Sequence, residues 1–578
     1  MTTNANFCTL NSIAQVHGVT FKNGNTYVIH SSNSWISTIG THGMRTGKWY
    51  WEAYQISNLS GNGFPVGIYD IDSGLYADGQ SNDYPNGTSA KGPAYTAYSN
   101  SGSYASRYNG GTETNMSFSI GGGGDVWQIA VDLDNGKLWF GKNNTWDNGG
   151  SGTGNPATGA NPSYSGGQLS DSTTRTWVPI TCSYNNSNSE DYPQNWGQDS
   201  TFAGRISAGG NADGNGYGDF KYSPPSGFLA LCSSNLNTSA DIDPTGDDGE
   251  DENPTKQFNI ALYTGTGAAL SIDAGLQTDF AWVKSRGSQS HRLADSSRGS
   301  EVLFCDTTAA TDTTAGISFD SDGFNWTNTD GSNANDNGAN YVAYCWKGNS
   351  GTTASNTEGS GTSTVQANTT AGFSIVQFPN YSSNATFGHG LSSAPEFIII
   401  KLTASGSQWP VYHTGLSSTG KYLNLQTTDA EASGSFFNST APTSSVFSLG
   451  ASFGGSGAGI AYLWHSVSGY SKFGYYKGTG AANGPFLYTG FRPRFFIQKR
   501  RDSSGSWRMW DSARHPYNPN DAILRCEDAG AEDTANGIVD FLSNGVKIRM
   551  SYADMNADGG DYVYMCWGDV PYKTNNTF

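Results

Sequence analysis

The chain has 578 residues, 76 of them glycine, with 13% aromatic residues and a formal net charge of −18. That length is more than one hydrophobic core can use, and the charge excludes a nucleic-acid surface built on clustered Lys and Arg. Seven cysteines do not make a disulfide scaffold, and no apolar run reaches the about eighteen residues of a membrane span.

Aromatic residues and Thr favour pleated surfaces, and Gly with Asn supplies positive-φ turns, so the expected class is all-β. Met1-Thr-Thr-Asn-Ala-Asn6 lacks the basic and apolar regions of a signal peptide, which implies folding in a reducing cytosol. Residues 1–236 form the first expected unit. Gly47-Lys-Trp-Tyr-Trp-Glu52 reads as an aromatic strand, followed by Val66-Gly-Ile-Tyr69. Asp125 to Trp146 reads as two strands around Asp134-Asn-Gly136, and Asn-Gly between alternating apolar residues is a hairpin signal. Val126, Ile129, Val131 and Leu133 are expected to face Leu138 and Phe140.

These segments resemble the SPRY family, a concanavalin-like β-sandwich. The resemblance rests on Gly47 to Glu52, Asp125 to Asn144, Asn195-Trp-Gly-Gln198 with Phe202, and Pro224-Pro-Ser-Gly-Phe-Leu-Ala-Leu231. It implies a binding role rather than catalysis. The family's binding loops vary, so it transfers no binding residue. Gly/Ser/Asn-rich insertions near 75–125, 147–175 and 200–218 are expected as long loops, where recognition normally sits.

Residues 237–256 read as an acidic linker, with Pro244 and Pro254 denying regular structure. Asp241, Asp243 and Glu252 stand at positions one, three and twelve of a calcium-loop spacing, with Gly246 at six. Thr245 replaces the usual acid or amide at position five, and no flanking helix is expected. A flexible acidic linker is therefore preferred to a metal site.

Three related blocks of about ninety residues follow, each long enough for a small domain. Tyr341-Val-Ala-Tyr-Cys-Trp346 closes the first, Ile460-Ala-Tyr-Leu-Trp464 the second and Tyr562-Val-Tyr-Met-Cys-Trp567 the third. Their openings correspond, as in Leu262-Tyr-Thr-Gly-Thr-Gly267 and Tyr475-Tyr-Lys-Gly-Thr-Gly480. Their second strands are Phe280 to Lys284, Pro395 to Lys401 and Pro493 to Lys499. The expected order is a SPRY-like sandwich followed by three β-sandwich-type repeat domains, at 257–348, 371–466 and 467–578. Residues 349–370 are expected as a Gly/Ser/Thr-rich linker. With Phe319-Asp-Ser-Asp-Gly-Phe324 and Asp540-Phe-Leu-Ser-Asn-Gly545, these motifs resemble tandem β domains of structural proteins from marine tailed bacteriophages. The resemblance implies a virion component made in the host cytoplasm, such as a tail fibre or appendage. Its partners would be other virion proteins and a host-surface glycan or protein. A homo-oligomer, in fibres commonly a trimer, is carried over with it, although no heptad supports a coiled coil.

No catalytic constellation stands out, and no enzyme activity or cofactor is expected. Gly450-Ala-Ser-Phe-Gly454 matches a nucleophile pattern, but that pattern requires a strand, an elbow and a helix. Here a Gly/Ser-rich turn is expected instead. The glycines of the opening motifs are read as turn markers, not phosphate cradles. His291, His413 and His515 fall at roughly corresponding places and are read as polar surface residues. No carboxylate spacing marks a glycoside hydrolase. A polysaccharide-cleaving tailspike and a decoration protein without receptor contact remain the alternatives to adhesion. Finally, Cys305, Leu425 and Cys526 align, as do Cys345, Leu463 and Cys566. Because the two positions change together, they are expected to touch, as buried reduced thiols in the first and third blocks.

Overall fold

The computed structural model describes residues 6–14, 19–30, 35–56, 63–73, 94–100, 104–109, 112–119, 123–147, 153–170, 175–184, 193–236, 254–327, 334–404, 406–454 and 457–568. Almost all of its regular structure is β. The α-helices among the described residues are four-residue turns, at Pro254–Gln257, Ala451–Gly454 and Ala553–Asn556. The chain divides into two compact units, residues 1–237 and 238–572. The calcium-loop candidates Asp241, Asp243 and Glu252 lie outside the described residues. Pro254 does not break structure but opens a helical turn, where its missing N–H costs nothing.

In the first unit two sheets enclose one core. The strand Lys48–Tyr54 pairs with Val126–Asp132, which pairs with Lys137–Lys142. The hairpin register sets Leu138 opposite Val131 and Phe140 opposite Ile129, as the Asn-Gly turn requires. Successive strand residues face opposite sides. Thus Trp127, Ile129, Val131, Leu138 and Phe140 enter the core between the sheets, with Val66, Ile68 and Trp177 from the other one. Val126 packs instead on the outer side with Tyr54 and Phe202, one residue out of phase with its expected partners. The insertion at 75–125 is not all loop: Ala94–Asn100, Tyr104–Asn109 and Thr112–Ser119 extend the second sheet.

The second unit holds all three repeats. In each, the large sheet runs opening strand, closing strand, second, third and fourth strand. In the first repeat these are Phe258–Thr264, Asn340–Trp346, Phe280–Ser285, Arg292–Asp295 and Val302–Leu303. The closing strand is apolar on both faces. Tyr341, Ala343 and Cys345 pack against the repeat's own small sheet, with Phe324 and Trp326. Val342, Tyr344 and Trp346 enter a core shared with Tyr462 and Trp464 of the second repeat and Met565 and Trp567 of the third. The three repeats therefore close around one aromatic centre with pseudo-threefold symmetry, rather than standing as three separate domains. The stretch 349–370 is not a free linker either. Ala354–Asn356 and Ser363–Asn368 add two strands beside the second repeat's opening strand Phe373–Phe378.

The shared core corrects the cysteine pairing. Cys305, Leu425 and Cys526 are equivalent, as aligned, and all face the common centre. Cys345, Leu463 and Cys566 face outward into the separate repeat cores. The expected partners thus lie on opposite faces. Cys345 neighbours Ala281 of the second strand, whereas the Cys305 thiol donates to the Cys526 carbonyl of the third repeat at 3.3 Å. All four cysteines are buried free thiols.

Candidate functional site

In the second unit most buried charge is spent on the seams between repeats. Lys284, Lys401 and Lys499 stand one residue before the ends of the three second strands and are wholly buried. Lys284 donates to the carbonyls of Ala529 and Gly530 in the third repeat, at 3.3 and 2.9 Å. Lys401 donates to Thr308 of the first repeat at 3.0 Å, and Lys499 to Thr428 and Asp429 of the second at 3.2 and 2.8 Å. Each repeat thus caps a loop of its neighbour in the same rotational sense. Burial pushes all three ammonium groups down to about 8. They remain protonated at neutral pH, as donors to several carbonyls at once.

The third strands add a second layer. Trp409 Nε1 donates to Phe304 and Thr307 of the first repeat at 2.9 and 3.1 Å, and Trp507 Nε1 to Asn424 of the second at 2.9 Å. His291 holds the equivalent place in the first repeat, with Nε2 2.7 Å from the Arg525 carbonyl and Nδ1 accepting from Trp282. His413 is equivalent to Asp295 and Asp511 instead, since these three pair with Phe397, Phe280 and Phe495. The three histidines therefore do not correspond. His291 and His413 are buried and not surface residues, because each closes a seam. Burial lowers them to about 3 and about 4, so both are neutral.

At two seams a tyrosine, a carboxylate and an arginine meet. Tyr462 donates to Asp295 at 2.7 Å, and Asp295 pairs with Arg298 at 2.7 Å. Tyr344 donates to Asp511 at 2.9 Å, and Asp511 pairs with Arg514. At the third seam Met565, His413 and Leu416 take those places, so these three positions are uncharged there. A single-member change would have left a buried charge unpaired, at a cost of about 3–5 kcal/mol.

The opening glycines are not mere turn markers. A Cβ on Gly265 would meet the Asp336 carbonyl at 2.3 Å, and one on Gly478 the Ala557 carbonyl at 2.1 Å. Gly267 and Gly480 both have φ of 66°. Buried Asn335 and Asn556 complete this clamp, accepting from Thr266 N at 2.8 Å and Thr479 N at 2.6 Å. Sequence reasoning missed both asparagines, although each stands the same distance before its closing tryptophan. Ser452 of the Gly450 to Gly454 motif follows the strand Val446–Leu449 and lies in a four-residue helical turn, not in a plain turn as expected. Among the described residues no cluster of His, Cys, Asp or Glu could hold a metal, and no helix is long and apolar enough to cross a membrane.

In the first unit one long insertion can be followed residue by residue. Of the three insertions, 200–218 is described throughout, and three carboxylates hold it, Glu52 and Asp213 buried and Asp199 half-buried. Glu52, on the aromatic strand, accepts from the backbone of Lys221 and Tyr222, both at 2.8 Å, and from Tyr50 at 2.8 Å. Burial raises Glu52 to about 7, against the pull of those donors. Asp213 gathers Asn215 N, Tyr217 N and Ala230 N at 2.9, 2.9 and 2.8 Å. Asp199 accepts from Thr201 N and Ala203 N at 2.8 and 2.7 Å; burial opposes its ionisation, yet the donors win and its pKa is lowered. Between these anchors Ser207 to Gly210 and Gly214 to Gly216 are exposed. The loop is a polar surface held in place by these hydrogen bonds.

Residues 253–571 match the family described as "Domain of unknown function (DUF7483)". The chain belongs to that family. Among curated proteins, none matches it. Solved structures similar to this DUF7483 chain include the SPRY domain of human HERC1, at 16% identity and a TM-score of 0.21, covering 32% of this chain and 94% of that one. The PSpry domain of TRIM65 is similar at 13% identity and a TM-score of 0.24, over 33% of this chain and 89% of that one.

Proposed function

We propose that this protein is a structural component of a bacteriophage particle, a tail fibre or appendage part. In this reading the second unit gives rigidity and the first displays loops to host-surface glycan or protein. The supporting observation is how the second unit spends its lysines: Lys284, Lys401 and Lys499 are buried as caps between repeats. Such a unit is built to hold shape. The internal pseudo-threefold also lets one chain supply the packing that a trimer of chains supplies in a fibre. The phage assignment itself rests on the resemblance of the repeat motifs.

Purified protein is expected to bind host cells or compete with infection, and to release no reducing sugar from envelope polysaccharide. Sustained sugar release would move it to the tailspike class. Binding failure together with no hydrolysis would favour decoration. Antibody labelling of particles is expected to place the chain on the tail, and labelling of the capsid would refute the appendage reading.

A further inference from the structure

The three repeats close into a ring, but the chain joins them in two places. Asn340–Trp346 of the first repeat leads through residues 347–372 to Phe373–Phe378 of the second. Gly459–Trp464 of the second leads through residues 465–470 to Ser471–Lys477 of the third. No chain segment crosses the seam between the third repeat and the first. That seam is held without a covalent link, by contacts such as Arg286 with Glu532 at 2.8 Å and His291 with the Arg525 carbonyl at 2.7 Å. Next to Arg525 stands Cys526, and the Cys305 thiol lies 3.3 Å from its carbonyl oxygen. Both cysteines are 0% exposed and enter the shared core. Bond lengths alone then keep their Cα atoms at most about 8.5 Å apart, against about 4.4–6.8 Å in a disulfide, so a small approach suffices. The third member of the set is Leu425. The two thiols among these three positions therefore face each other across the seam that has no chain link, whereas Cys345 and Cys566 lie in separate repeat cores.

We propose that Cys305 and Cys526 are a redox latch for the ring: a low-molecular-weight disulfide such as oxidised glutathione converts them to one cystine, which ties the third repeat to the first. The thiolate of one cysteine attacks a sulfur of the oxidant, a mixed disulfide forms, and one small thiolate leaves. The second cysteine attacks the protein sulfur of that mixed disulfide, and the second small thiolate leaves. The two cysteine protons pass to the leaving thiolates, and two electrons pass from protein to oxidant. Burial holds both thiols well above the ordinary thiol range, so the exchange runs when the seam opens. Once made, the bond links residues 221 positions apart, and long loops gain most from such closure. The rival reading keeps both side chains as small apolar filler, the role of Leu425 at the third position.

The test uses the full chain, reduced and then incubated with oxidised glutathione a few degrees below its melting temperature. Peptide mapping without reductant is expected to find Cys305 linked to Cys526. The second unit is expected to melt about 5–10 °C higher when oxidised, and to return on adding dithiothreitol. Cys305→Leu and Cys526→Leu copy the second repeat, and each is expected to melt alike with and without oxidant. Free thiols at both positions after oxidation, glutathione adducts in place of the bond, or an oxidised protein no more stable than the reduced one would overturn the latch and leave the pair as filler. An equal shift in either variant would do the same. None of these readouts involves host cells, so the latch is tested apart from the adhesive reading.

Discussion

The two kinds of seam allow one prediction to be worked through. Asp511 accepts from Tyr344, from Arg514, and from the backbone of Ala513 and Arg514 at 3.0 and 2.7 Å. Asp511→Ala removes all four acceptor contacts and leaves a fully buried guanidinium with only Glu532, at 2.9 Å, as carboxylate partner. Breaking such a pair from one side is expected to cost about 3–5 kcal/mol. The molecule itself supplies the compensation, since Met565, His413 and Leu416 fill the same places at another seam. The triple variant Tyr344→Met, Asp511→His, Arg514→Leu should therefore be at least about 2 kcal/mol more stable than Asp511→Ala. Glu532 would still be paired in it, through Arg286 at 2.8 Å. Native-state hydrogen exchange on peptides covering 340–346 and 508–514 reads the opening free energy of this seam within the full chain. A triple variant as unstable as the sum of its three single changes would refute the view that the three positions act as a set.

Three other outcomes follow from the buried groups and glycines. Glu52 is raised to about 7, so its contribution is fully present below about 4.5, the unfolded value, and is lost as pH rises through about 7. The melting difference between the parent protein and Glu52→Gln should accordingly shift between pH 5 and 7.5, and a pH-independent difference would contradict the burial argument. Lys284, Lys401 and Lys499, lowered to about 8, contribute most above about 10.4 and lose that as pH falls through about 8. Lys401→Met, which stays uncharged, should narrow its stability gap to the parent on the acid side of that window, as seen in denaturant titrations at pH 8 and 10. For the opening clamp, Gly265→Ala should cost more than about 2 kcal/mol, because backbone must move, whereas Gly338→Ala meets nothing within 4 Å and should cost about 1 kcal/mol for its positive φ. Equal losses by thermal unfolding would remove the close-approach argument.

Much of the local structure could be read from the residues alone. Asp134-Asn-Gly136 determined a hairpin and its register, because a short turn and a period of two leave one way to bury Ile129, Val131, Leu138 and Phe140. Trp346, Trp464 and Trp567 marked the closing strands. A clue to the shared centre was also present. Tyr341 to Trp346 is apolar at every position, and a strand apolar on both faces must be covered on both. Which element covers the second face is a matter of tertiary closure, and alternation cannot name it. That is why Cys305 and Cys345 face different cores although they change together: joint change marks equivalent repeats as readily as contact. It is also why Lys284, Lys401 and Lys499 gave no sign of burial in sequence, since a lysine is hidden only where a neighbouring loop presents its carbonyls. The chain by itself determined strands, turns and a threefold repetition. Only the packing of the repeats around one axis decided which faces became core, because the free energy of burial depends on the partner surface and not on the strand that bears it.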